Sequence, residues 1–298
     1  MHQVLKPLKQ LFRNLYFLMF LNGFLLASLF YFKMEDSYEN NLFSVIKSSI
    51  DNQITPKDTK DSIVIKAMNA CYQLMKDRAP TFGHTASFGL EADLVHPASV
   101  DLMTTHGACG SYSQVLARMI QDFHYPLRLP QMKANGVYAA HNLVEVNTGN
   151  DDNSWVVLDP TYNTYFVRPD GKLASFRDVQ TDWNYYQHQV PKNYDLSYHY
   201  EDVRYSNWTK IPVLLPGIKK LLDMTMGKEK ADTFSMRMLF LHMYQLYLYI
   251  TLLLYIPVLF FTLRIFVKTK DFPREDIPLT FGNFFKYLRP RPVMAAGQ

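Results

Sequence analysis

The chain has 298 residues, 48% of them hydrophobic, with 31 Lys and Arg against 27 Asp and Glu and only two cysteines. That length accommodates one globular domain of roughly 200 residues plus appendages and excludes an array of several domains. Two cysteines, Cys71 and Cys109, exclude a disulfide framework and a metal site built from cysteine pairs.

Residues 1–14 form a tail that carries Lys6, Lys9 and Arg13 and no acid. Residues 15–32, LYFLMFLNGFLLASLFYF, hold no charge and reach the length of a bilayer span. A signal peptide has a shorter apolar run with small residues after it; here Ala27 and Ser28 lie inside the run, which reads as an uncleaved anchor. Residues 33–60 are polar and predict a connector with a short helix around Leu42, Phe43, Ile46 and Ile50. Val64, Ala67, Met68, Cys71, Leu74 and Met75 then recur at helical spacing, which predicts a helix over 62–77 with Cys71 as a small core residue. Residues 80–99 are rich in Gly, His, Pro and Ser and read as loop.

Residues 106–166 carry the clearest pattern. Tyr112, Val115, Leu116, Met119, Ile120 and Phe123 recur at three and four, the mark of a packed helix, and Cys109 stands at its start. PLRLPQMKA predicts a strand broken at Pro130, and VYAAHNLVEV (137–146) predicts another. NTGNDDN is turn chemistry, and SWVVLDP is a strand stopped by proline. Downstream, residues 183–208 are dense in Tyr and Trp and read as a half-buried extension bracing the domain, or as flat faces for glycan or peptide. The segment 211–227, IPVLLPGIKKLLDMTMG, is amphipathic and suits a membrane surface or an ordinary surface helix. Residues 238–267 are long and apolar enough to span with tilt; a buried hairpin helix is the alternative. The tail 268–298 is basic again.

A thiol at a helix N-terminus is a prepared nucleophile, because the dipole and the free amides favour thiolate over thiol. It needs a base, and the base needs an orienting acceptor. If the strands 137–146 and 154–159 pair so that Val146 faces Ser154, His141 falls opposite Asp159, with Leu143 facing Val157 and Glu145 facing Trp155 on the same sheet face. A one-residue slip would separate the pair. Asp159 would then hold one ring nitrogen of His141 and leave the other for the thiol of Cys109. A metal reading of these three residues finds no second Cys or His at ligand spacing. His84, His96, His106 and His124 lie in or near loops, and of these His106 is close to Cys109 in sequence.

The order of these parts resembles the transglutaminase-like superfamily: Gly107-x-Cys109 before an amphipathic helix, then Tyr125-Pro126-Leu127-Arg128, a His in a strand, and Asp159-Pro160-Thr161-Tyr162 closing the next. The likeness covers about 60 residues. The resemblance implies an α+β, papain-like core with a nucleophile helix packed on an antiparallel sheet, Cys109 as nucleophile, His141 as base and Asp159 as third member. It implies acyl transfer from, or hydrolysis of, a peptide or protein amide, with no cofactor and no metal. The substrate-side candidates are Arg128, His106 and Tyr112, with Arg128 suited either to a substrate carboxylate or to pairing with one of the chain's own acids. The chain departs from the family at His141-Asn142-Leu143, where His-Ala-Trp is common, and at Gly110-Ser111-Tyr112 after the nucleophile. The family also holds members without activity, so a catalytically idle domain that binds a peptide or glycan in a cell-envelope assembly stays open as the alternative.

Both tails are basic, while the stretch between the two apolar runs is slightly acidic, which argues against a nucleic-acid partner. Lys and Arg concentrate on the cytoplasmic side of a membrane, so the pattern predicts a two-pass protein of the cell membrane with residues 33–237 outside. Lys228, Lys230 and Arg237, just before the second run, are discordant with this. Reporter fusions to either terminus should therefore report the cytoplasm, and impermeant labelling of residue 180 should succeed in intact cells; an external tail would reject the topology.

Overall fold

A computed structural model describes residues 14–82, 96–105, 107–149, 154–210 and 212–268. The chain divides into two compact units, Ala27–Thr251 and the two chain ends, Met1–Leu26 with Leu252–Gln298.

In the unit formed by the ends, helix α1 (Leu15–Asp51) and helix α10 (Met243–Lys268) contribute their apolar stretches. Both helices are long and apolar enough to cross a bilayer. Tyr16, Phe20, Phe24, Leu253, Ile256 and Phe260 are exposed, where a core helix of a soluble protein would hide them. The polar group in this apolar setting is used internally: Asn22 Nδ2 donates to Thr262 Oγ1 and to Leu18 O, each at 2.7 Å.

The expected connector after residue 32 is instead a continuation of α1 as far as Asp51. No Gly or Pro interrupts residues 24–51, and the pairs Lys33–Asp36 (3.3 Å) and Lys47–Asp51 (2.6 Å) lie one turn apart. Phe43 and Ile50 on this extension enter the core of the Ala27–Thr251 unit.

That core is built on helices. Helix α2 (Lys60–Met75) is capped by Thr59 Oγ1, which accepts from Ser62 N, and buries Val64, Ala67, Met68, Cys71 and Met75. A short helix α3 (Arg78–Phe82) follows, and helix α4 (Ala98–Thr104) begins inside the segment expected to be loop. Helix α5 (Cys109–Gln121) is buried on almost every side: Val115, Leu116, Met119 and Ile120 fill the core, while Arg118 is neutralised by Asp122 and lies over the Phe43 ring.

Among the described residues seven short strands follow: β1 (Leu127–Arg128), β2 (Gln131–Ala134), β3 (Val137–Asn142), β4 (Val144–Asn147), β5 (Trp155–Asp159), β6 (Thr164–Tyr165) and β7 (Asp202–Arg204). All pairings are antiparallel, in a four-stranded sheet of order β1-β4-β5-β6 and a three-stranded sheet of order β3-β2-β7. The single strand expected over 137–146 is thus two strands in two sheets, broken at Leu143, whose amide donates to Pro130 O. Val146 faces Val156, two residues beyond the expected Ser154. Thr148 N donates to Ser154 O in that same register. A shift of two preserves face parity, so Glu145 still shares its face with Val157.

Val144, Val146, Val156 and Leu158 turn to the helices, while Leu143 and Val157 join a second cluster with Phe166, Phe176 and the buried rings of Tyr186, Tyr194 and Tyr200. The aromatic-rich segment 183–208 therefore covers the opposite side of the sheet from α5. Helices α6 (Phe176–Thr181), α7 (Trp183–Tyr186), α8 (Leu214–Met226) and α9 (Lys228–Asp232) complete the order before α10.

Leu116→Ala should destabilise this unit by about 3 kcal/mol, because α5 is enclosed on both sides and cannot collapse onto the void. Urea unfolding followed by near-UV circular dichroism measures it; a loss under about 1 kcal/mol would mean that the helix is less well packed than the structure shows.

Candidate active site

Cys109 opens α5, and the residue before it, Ala108, has φ +46°, a conformation costly for a residue with a Cβ. The turn is held by a short relay from α4: Gly107 N donates to Ser111 Oγ (2.8 Å), and Ser111 Oγ donates to the buried Asp101 Oδ1 (2.5 Å). A Cβ at Gly107 would come within 2.8 Å of that hydroxyl, so the close approach requires glycine there. Ser113 Oγ, on the same helix, donates to Asn142 O at 2.9 Å and ties the helix to the end of β3.

His141 is next to last in β3 and only 1% exposed. Its Nε2 lies 2.7 Å from Oδ2 of Asp159, the last residue of β5, which is fully buried. Asp159 Oδ1 accepts from Thr161 N at 3.1 Å, so both carboxylate oxygens are used. With Nε2 committed to Asp159, Nδ1 is the nitrogen left for Cys109. Tyr198 stacks on the imidazole with ring centroids 4.5 Å apart and planes 14° from parallel, and Tyr162 tilts against it at 5.9 Å. By strand alternation Asp159 belongs with Val157 on the tyrosine-covered face, not on the helix-covered face expected for it. The helix N-terminus meets it at the strand end.

Two further side chains complete the cluster. Asn142 Nδ2 donates to Cys109 Sγ at 3.3 Å, and Arg237 donates through Nη1 to Asn142 Oδ1 at 2.5 Å and through Nη2 to Gly110 O at 3.5 Å. Burial alone would hold the Cys109 thiol up, but its hydrogen bond to His141, the imidazolium charge and the Asn142 amide outweigh this and bring its pKa down to about 7. Burial likewise opposes charge on His141, yet the charge and hydrogen bond of Asp159, with Cys109 beyond, raise it well above the ordinary imidazole value. The directions agree, each favouring thiolate on Cys109 and imidazolium on His141.

Of the substrate-side candidates, His106 lies outside the described residues. Tyr112 points into the helical core, 7% exposed and 6.4 Å from the Tyr72 ring, because its place on α5 faces α2. Arg128 pairs with buried Glu145 at 2.6 Å and lies over the rings of Trp155 (4.0 Å) and Tyr205 (4.6 Å). Tyr205 OH donates to the same Glu145 carboxylate at 2.7 Å, so Arg128 is spent on satisfying a buried acid. Cys71 is a free, fully buried thiol whose ionisation burial opposes. Among the described residues no group of three His, Cys, Asp or Glu side chains is arranged to hold a metal ion.

Asn142, Asp101, Tyr162 and Tyr198 escaped the sequence reading, although Asn142 adjoins His141. Arg237 had no signal linking it to Cys109, since it stands 95 positions from Asn142 and resembles a flanking charge of the apolar run. Comparison with family models, with curated proteins and with solved structures finds nothing that matches the chain.

Cys109 should react with iodoacetamide with a midpoint near pH 7, its thiolate present above that pH and lost below it. In Asp159→Asn the imidazolium loses its anion, so the midpoint should rise toward the ordinary thiol value and alkylation at pH 7 should fall about tenfold per unit of rise. Superimposable wild-type and mutant profiles would dissolve the pair. Cys71 should stay unlabelled in both until the chain unfolds.

Proposed function

We propose that the chain is a membrane-anchored cysteine enzyme of transglutaminase-like type that cleaves an amide of a peptide or protein by acyl transfer to Cys109. The observation that carries this reading is the series of half-buried Cys109, at the N-terminus of α5, with buried His141 and Asp159, and a thiol driven toward thiolate. Anchoring is supported by α1 and α10, whose apolar residues stand exposed; the basic tails support an orientation with the catalytic unit outside the cytoplasm.

The chemistry balances with this chain's own groups. The thiolate attacks the amide carbonyl, forming a C–S bond and an oxyanion that faces the first amides of α5. Collapse breaks the C–N bond as His141 gives its Nδ1 proton to the leaving nitrogen, yielding a thioester and an amine. Water or a second amine then attacks the thioester, passing a proton to the neutral imidazole that Asp159 holds in place. The acid or new amide leaves, and the thiolate–imidazolium pair is restored. Which nucleophile wins depends on water access.

A second reading, an idle domain that binds a peptide or glycan in an envelope assembly, is favoured by one observation: Tyr198 stacked on His141 leaves the imidazole 1% exposed. One experiment separates the two. The full chain in detergent, mixed with p-nitrophenyl acetate, should release a burst of nitrophenolate and carry acetyl on Cys109 by mass spectrometry. His141→Ala should slow the burst by about 10²–10⁴-fold, the usual worth of a general acid–base group. Acetylation absent from the wild type, or equal in His141→Ala, would favour the idle domain.

A further inference from the structure

The oxyanion formed at Cys109 needs a donor beyond the helix amides, and the cluster around the sulfur holds one. Resting on the acyl-transfer reading above, we propose that Asn142 is the side-chain oxyanion donor of this site and that Arg237, on the turn Met236–Phe240 leading into α10, is the positioning residue that aims it.

Four observations carry this. First, Asn142 Nδ2 already lies 3.3 Å from Cys109 Sγ. An acyl group joined to that sulfur brings its oxygen within hydrogen-bond reach of a donor placed there. Second, the orientation of the amide is determined chemically. A guanidinium only donates, so the 2.5 Å contact from Arg237 requires the amide oxygen on its side and turns the NH2 group to the sulfur. Third, backbone placement supports the pair from both ends: Ser113 Oγ holds Asn142 O, and Arg237 Nη2 reaches Gly110 O, one residue after the nucleophile. A Cβ at Gly110 would lie 3.4 Å from that Nη2, tight against the guanidinium.

Fourth, Arg237 is a half-buried cation, drawn far enough from water for desolvation to oppose its charge, whose two hydrogen bonds go to neutral oxygens, while the negative charges that face it are Cys109 and Asp101. A buried guanidinium persists where a charge compensates it, and here the thiolate or the oxyanion that replaces it supplies one. The segment that carries Arg237 is itself pinned to the unit. Ser235 Oγ donates to Leu129 O (3.3 Å), Met236 N donates to Ser206 Oγ (2.8 Å), Leu241 is fully buried, and His242 Nε2 lies 2.8 Å from Gln121 Oε1. The residues just before α10 thereby complete the site.

The test compares two reactions of the same thiol in the full chain. Iodoacetamide alkylation is a direct displacement that forms no oxyanion, whereas acylation by p-nitrophenyl acetate must pass through one. Both rates are expressed per thiolate from their pH profiles, because His141, Asn142, Arg237, Tyr162 and Tyr198 all interact with the sulfur and a substitution shifts its midpoint. Asn142→Asp keeps the size of the side chain and the contact to Arg237 but removes the NH2 donor. It should lower acylation by about a hundredfold while alkylation per thiolate is kept. Arg237→Ala should give the same selective loss, and Arg237→Lys, which retains charge without the two-point fork, should recover only part of it. Acylation and alkylation that fall together, or an Asn142→Asp protein that acylates like the wild type, would overturn the proposal. Failure of the acyl-transfer reading looks different: the wild type itself then shows no acylation of Cys109 that depends on His141.

Discussion

The 2.7 Å contact between His141 and Asp159 joins the two sheets, since His141 belongs to the β3-β2-β7 sheet and Asp159 to the β1-β4-β5-β6 sheet. Both groups are removed from water, and burying either alone would cost several kcal/mol. Together, with Thr161 N on the second carboxylate oxygen, they satisfy one another. Much of the surrounding architecture follows from bringing these two strand ends into register. The break at Leu143 lets one stretch of chain serve both sheets, and it leaves His141 and Asn142 at the seam where the N-terminus of α5 arrives.

The two faces of the four-stranded sheet are covered by different chemistry, and the difference suits the site. On one side α5 is locked among apolar residues from α1, α2 and α4, so the nucleophile rests on a rigid support. On the other side the cover is tyrosine. Tyr194 and Tyr200 surround Asp159 with large rings, and burial raises the pKa of both phenols, keeping them neutral beside the carboxylate. Tyr198 extends that cover over His141 itself. A dry wall of this kind strengthens the interaction between imidazolium and carboxylate, because little water remains to screen it.

Buried acids are handled in two ways in the same unit, and the comparison distinguishes support from chemistry. Glu145 is quenched by a guanidinium and a phenol, Arg128 and Tyr205, and both of those are committed to it. Asp159 is met by an imidazole, whose other ring nitrogen is left to exchange a proton with the sulfur or a leaving group. Arg237 stands in a third relation, a half-buried cation with the neutral oxygens of Asn142 and Gly110 as hydrogen-bond partners. Of these two half-buried arginines, sequence reasoning favoured Arg128, because it lies on a strand near the site. Space brings Arg237, not Arg128, to Asn142 and Gly110.

The sequence by itself determined what depends on local periodicity and composition. The two apolar runs, the helix that begins at Cys109, the break at Pro130 and the strand ending at Asp159 are legible because each is written in neighbouring residues at helical or strand spacing. Even the relation of residues 145 and 157 survives a two-residue slip, since face parity depends only on whether that slip is even. Tertiary structure decided what depends on distant parts of the chain meeting. It divided the strand at Leu143, turned Arg128 to Glu145 and carried Arg237 to Asn142. No short-range pattern encodes those outcomes, because each is settled by competition among all buried polar groups for a limited set of partners.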